Sequence, residues 1–80
     1  MNEWSSVVFL KTKNSIPDFA SIAKMNGVQS LWSTAGDWDW CIKLDQKHST
    51  PEETATFVKN LRNSDWVAET STNWWKEISL

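Results

Sequence analysis

Tyrosine is absent from this 80-residue chain, cysteine and histidine occur once each, and glycine and proline twice each. A lone cysteine, Cys41, excludes an internal disulfide and fits a reducing compartment. One Cys and one His do not by themselves make a zinc site, so no metal or cofactor is expected. No apolar run approaches the roughly 18 residues that a membrane span needs. The N-terminal stretch MNEWSSVVFLK is too short and too mixed for a secretory signal, so the expected location is the cytoplasm. Basic residues are scattered and the formal net charge is −2, which is not the footprint of a nucleic-acid binder. No Ser/His/Asp set, Cys/His pair or phosphate-cradling Gly-rich loop is present, so the chain is not read as an enzyme.

What the chain does have is tryptophan, seven of its 80 residues. Trp is the side chain most enriched at interface hot spots, so shared surfaces are expected. A domain this small buries only about 60–70% of the surface its unfolded chain exposes, and oligomerisation is a common remedy.

Residues Trp4 to Thr12 are β-branched and aromatic in their middle and predict a strand. Ser15 can cap a following helix, and Pro17 stands near its first position, where a missing N–H does no harm. Ile16, Phe19, Ile22 and Ala23 recur at helical spacing, and Gly27 is placed to end that helix. Val28 to Thr34 returns to strand character, and Ala35-Gly36 turns the chain. Trp38 to Asp45 alternates, with Trp38, Trp40, Ile42 and Leu44 on one face and Asp39, Cys41, Lys43 and Asp45 on the other. Thr50-Pro-Glu-Glu53 is a helix start: Thr50 at the N-cap, Pro51 at the first position, Glu53 where a capping box wants it. Glu52 and Glu53 also suit the positive helix end, which is a sufficient reason for their presence. Thr54, Phe57, Val58 and Leu61 form an apolar stripe, and Trp66 to Trp75 predicts a last strand.

The order is β-α-β-β-α-β. The expected fold is α+β and ferredoxin-like: one domain over 1–80, a four-stranded antiparallel sheet with two helices on one face. Helices on one face leave the other bare, and a bare apolar face has to be buried by something. A two-fold dimer, sheet facing sheet, is the simplest solution.

Several stretches, in this order and spacing, resemble the effector-binding domain of the Lrp/AsnC transcription regulators, also called RAM. They are Val7-Val-Phe-Leu-Lys-Thr12, Met25-Asn-Gly-Val-Gln-Ser-Leu-Trp32, Ala35-Gly-Asp-Trp-Asp-Trp-Cys-Ile-Lys-Leu44, and Phe57-Val-Lys-Asn-Leu61 with Trp66-Val-Ala-Glu-Thr70. The resemblance covers nearly the whole length. It implies a homodimer that can assemble into a larger ring, octamer or decamer, and a small effector, usually an amino acid, held between subunits near the hairpin. It implies a role in transcription regulation, alone or beside a full-length Lrp/AsnC regulator. The family's regulators carry a helix-turn-helix domain that has no counterpart here, so the chain resembles the stand-alone form and is not expected to bind DNA directly.

By residue, Ala35, Gly36, Trp38 and Asp39 fall on the family's hairpin motif, with Ala35 where a threonine is usual. Ser33, Thr34 and Asp37 flank them, and Thr70 and Thr72 lie on the last strand, which contributes to the site in that family. The chemistry suits a zwitterion. Gly36 permits close backbone approach, turn N–H groups can hold a carboxylate, Asp37 or Asp39 can accept from an ammonium, and Trp32 and Trp38 can wall the site. The same residues also have plainer roles. Gly36 satisfies a turn, Asp37 caps it, and Asp39 pairs across a dimer. Trp40, Trp66, Trp74 and Trp75 are read as packing and interface residues, Cys41 as a small buried hydrophobe, and His48 as a solvated loop residue. Two alternatives stand: a purely structural oligomerisation module without ligand, and a small dimeric barrel enzyme using His48 or Asp39 as base.

Overall fold

A computed structural model describes residues 4–13 and 19–80. The elements are β1 (Trp4–Thr12), α1 (Phe19–Ala23), β2 (Val28–Ser33), β3 (Trp40–Leu44), α2 (Pro51–Arg62) and β4 (Val67–Lys76). The four strands form one sheet in the order β2-β3-β1-β4, and every pairing is antiparallel. The expected ferredoxin-like α+β arrangement is therefore present. Ser15, Ile16 and Pro17, read as the start of the first helix, lie outside the described residues.

One layer of side chains makes the core. Val8 and Leu10 from β1, Ile42 and Leu44 from β3 and Val67 at the start of β4 meet Ile22 of α1 and Phe57 and Leu61 of α2. Burying each such side chain stabilises the fold by about 1.5–3 kcal/mol. Strand partners share a face, so the register assigns the rest. Val8 pairs with Ile42 and Thr72, and Leu10 pairs with Trp40 and Thr70. Those residues face the helices. Val7, Phe9 and Lys11, with Cys41, Lys43, Glu69, Ser71, Asn73 and Trp75, face the other way.

α2 forms as its sequence dictates. Thr50 is extended at the N-cap, its hydroxyl accepts from the Glu53 N–H at 3.2 Å, and Pro51 opens the helix. Lys59 and Arg62 occupy its last turn, where cations suit the negative helix end.

A polar knot ties β1 to the loop before α2. The Ser6 N–H donates to Ser49 Oγ at 3.0 Å, and that hydroxyl donates to the Asp45 carbonyl at 2.7 Å. The Thr54 hydroxyl donates to the His48 carbonyl at 2.9 Å and lies 3.0 Å from Ser6 Oγ. Ser6 and Ser49 are fully buried and Thr54 nearly so. Such groups are tolerated inside because each is paired; among the described residues no buried side-chain polar atom lacks a partner.

His48, read from sequence as a solvated loop residue, is instead packed. Its ring lies against Gly27, where an added Cβ would meet the ring carbon Cγ at 2.7 Å, and its side chain is only 12% exposed. The polar flanks of QKHST concealed this, because the contact is made by a glycine distant in sequence.

Two stability predictions follow from these contacts. Ser49→Ala leaves the buried Ser6 N–H without its acceptor and is expected to lower unfolding free energy in urea by about 1–3 kcal/mol. Gly27 and Gly36 both have positive φ, 102° and 107°, but a Cβ at Gly36 meets nothing within 4 Å. Gly36→Ala should cost about 1–2 kcal/mol of backbone strain, and Gly27→Ala should cost more, because it must also displace His48; paired urea melts check the order.

Candidate functional site

The β2–β3 connection is held by its own backbone and by β1. The Thr34 N–H donates to the Asp39 carbonyl at 2.9 Å, the Asp39 N–H donates to the Leu10 carbonyl at 2.9 Å, and the Thr34 hydroxyl donates to the Trp38 carbonyl at 2.6 Å. Asp39 Oδ2 accepts from the Thr12 N–H at 2.8 Å and the Thr12 hydroxyl at 3.1 Å. One carboxylate oxygen thus ties the hairpin to the end of β1. This is a local role that the sequence reading did not include. Ala35, Gly36 and Asp37 are left exposed at the tip.

A bend at Asp39 breaks the expected alternation. Trp38 does not join Trp40, Ile42 and Leu44. Its ring centroid lies 6.1 Å from that of Phe9, and Lys11 Nζ stands 5.3 Å from it, so Trp38 belongs to the bare face. The residues of the proposed site separate accordingly. Ser33 to Asp39 come together at the hairpin, whereas Thr70 and Thr72 sit on the helix-facing side of β4, an edge strand beyond β1. Nothing in the fold brings the two threonines to the hairpin within one chain.

The bare face is aromatic. Phe9, at its centre, touches Trp38 at one side and Trp75 at the other, the latter at 6.0 Å between centroids. Trp75 pairs with Ser5, and Val7, between Ser5 and Phe9 on the same face, is fully buried although it points away from the core. Cys41, opposite Phe9 and Trp32, is 3% exposed, and burial pushes its thiol pKa up. That thiol is a packing group and a poor nucleophile. Trp32 and Trp75 remain 45% and 46% exposed, a large area of indole for a monomer to leave in water. Lys11 and Glu69 pair at 3.5 Å on the rim; both are exposed, so the pair adds little stability. Of the other tryptophans, Trp40 and Trp66 pack partly buried against the core, and Trp74 lies on the helix side beside α2.

The other ionisable pair stands apart from the hairpin. His48 Nδ1 lies 2.7 Å from Asp45 Oδ1, so Nδ1 must carry the proton, since a carboxylate only accepts. The His48 backbone N–H donates to the same oxygen at 2.9 Å. The ring hydrogen bond is the largest influence on the Asp45 carboxyl; burial opposes it, and the backbone bond and nearby positive charge add to it, so the carboxyl pKa lies below its usual range. Among the described residues no group of three or more His, Cys, Asp or Glu side chains is placed to hold a metal, and no helix is long and apolar enough to cross a membrane.

The fold is found in several solved structures. FFRP-DM1 superposes with a TM-score of 0.70 at 17% identity, over 90% of this chain and 97% of that one. MtbAldR gives 0.77 at 15% identity, over 96% of this chain but 55% of its own. An AsnC family transcriptional regulator from Agrobacterium tumefaciens gives 0.71 at 12% identity, over 95% of this chain and 52% of its own. This chain thus spans about half the length of the last two. At such identities the likeness concerns the fold. No family model and no curated protein matches the sequence.

The Asp45–His48 pair yields a pH prediction with a defined sign. A lowered carboxyl pKa contributes stability that is complete above the ordinary aspartate value and lost as pH falls through the lowered one. His48→Ala should therefore return the Asp45 carboxyl toward its ordinary value, read from its side-chain carbon shift by NMR, and should flatten that part of the acid dependence of stability. An unchanged Asp45 titration in the variant would contradict the assignment.

Proposed function

We propose that this chain is an effector-sensing oligomerisation module of the Lrp/AsnC regulatory kind, similar to a stand-alone RAM domain. The observation that carries the reading is the bare sheet face: Phe9, Trp32, Trp38 and Trp75 spread over buried Val7 and Cys41. A second copy laid sheet to sheet covers it. The occurrence of the same fold in an AsnC family regulator and in AldR supports a regulatory role. The module works by assembly and ligand binding, with no catalytic step.

The effector, an amino acid or a related small metabolite, sits at the hairpin lip between subunits. The exposed tip supplies the approach at Gly36, where the space beside the backbone is open, and a free-standing carboxylate at Asp37. Asp39 supports the site indirectly, by fixing the hairpin to Thr12. Thr70 and Thr72 face the helices, away from both the hairpin and the bare face, and have no part in this site. A ligand at such a seam shifts the oligomer equilibrium through its differential affinity for the two states, and through it the activity of a partner regulator.

The purified protein should be melted with each of the twenty amino acids at millimolar concentration. Ligand at about a hundred times its Kd adds about 2.7 kcal/mol, which for a chain this small raises Tm by about 11–22 °C. A rise confined to one or a few amino acids, and abolished by Asp37→Asn, is the expected result. No rise for any of them leaves a structural oligomerisation module and overturns the sensing role.

A further inference from the structure

β4 is an edge strand of ten residues, paired on one side only, with β1. Its outer backbone groups are a template for another chain. α2 packs beside it, and between the two runs a concave strip. One hollow of about 440 Å³ is lined by Trp4, Ser49, Thr50, Pro51 and Trp74. A second, of about 600 Å³, shares Pro51 and Trp74 with it and continues along Thr54, Ala55 and Val58 to Lys59 and Arg62, with Thr72 on its floor. The strip has two unlike ends. At one, Trp4 and Trp74 flank Pro51 and are 47% and 38% exposed, with Lys76 Nζ 5.9 Å from the Trp4 ring centroid. At the other stand two cations, and among the described residues neither Lys59 nor Arg62 has an ion-pair partner.

We propose that this strip docks an extended acidic segment of a partner protein, with an apolar anchor seated between Trp4 and Trp74 and carboxylates reaching Lys59 and Arg62. The geometry sets the spacing. Pro51–Arg62 is a helix of 12 residues, about 17 Å at 1.5 Å per residue, which an extended segment spans with about five residues at 3.3 Å each. The anchor and the acidic residues are therefore about five positions apart. Charge complementarity selects the acidic partner, and the open edge of β4 supplies main-chain hydrogen bonds that hold the segment extended. The strip lies on the helix side, opposite the bare face, and the inference stands without the sensing role proposed above. It also gives a use to Trp74 and Thr72 that the hairpin site does not.

The test uses two fluorescein-labelled, end-blocked peptides, Leu-Thr-Ser-Thr-Val-Glu-Glu and its counterpart with both Glu replaced by Gln, titrated against the full chain by anisotropy at low salt. The acidic peptide is expected to bind at least tenfold more tightly than the Gln peptide, to weaken at 0.5 M salt, and to weaken at least tenfold in Lys59→Glu/Arg62→Glu. Amide shift changes should be confined to α2, β4 and the residues around Trp4 and Thr50 that line the strip. Trp74→Ala should weaken both peptides alike. Equal binding of the two peptides, or undiminished binding to the charge-reversed variant, overturns the proposal. So does self-association that the same charge reversal abolishes, since a second copy would then be the occupant. The variant's fold is checked by its far-UV spectrum, and Lys59→Gln/Arg62→Gln gives the same comparison if charge reversal unfolds the chain.

Discussion

Two helices cannot cover both faces of a four-stranded sheet, and the rest of this structure depends on that constraint. α1 and α2 cover one face and create one core. β1, the central strand with β3, carries apolar groups on both faces, because Val7 and Phe9 alternate with Val8 and Leu10. The outer layer is made of aromatic rings: Trp75 meets Phe9 from one side and Trp38 meets it from the hairpin side. Val7 and Cys41 on this face are buried, while Trp32 and Trp75 stay nearly half exposed. A surface of that kind is completed by another subunit more readily than by water.

The polar groups are arranged to hold this frame in register. Ser6, Ser49 and Thr54 join the start of β1 to the start of α2 through buried hydrogen bonds, and Asp39 joins the far end of β1 to the hairpin through Thr12. His48 packed on Gly27 and bonded to Asp45 closes the same side as the serine knot. The hairpin tip is thereby presented from a hydrogen-bonded base, with Gly36 and Asp37 exposed.

Much of the fold is legible in the sequence, for local reasons. Thr50-Pro51-Glu52-Glu53 specifies a helix start by capping chemistry alone, and the structure shows that start. Gly27 and Gly36 mark the two positive-φ positions, and the strand runs follow from β-branched and aromatic content. The misreadings are non-local. Strict alternation placed Trp38 with Trp40; a carboxylate bond from Asp39 to a strand 27 positions away bends the chain and sends Trp38 to the other face. His48 seemed solvated because its neighbours in sequence are polar, while its neighbours in space are Gly27 and Asp45. Thr70 and Thr72 were grouped with the hairpin through resemblance, and the register of β4 puts them on the helix side. The unbroken run Val7-Val-Phe-Leu10 was the available signal for a strand wanting burial on both faces, and it locates Phe9 at the centre of the bare face.

The most direct test of the central claim is sedimentation equilibrium of the purified chain at micromolar concentration, beside a Trp75→Ser variant whose core contacts are untouched. The account predicts that the native chain sediments as a dimer or a multiple of it, and that the variant shifts toward monomer while its far-UV spectrum stays native. A chain that remains monomeric throughout, with the bare face open to water, would contradict it.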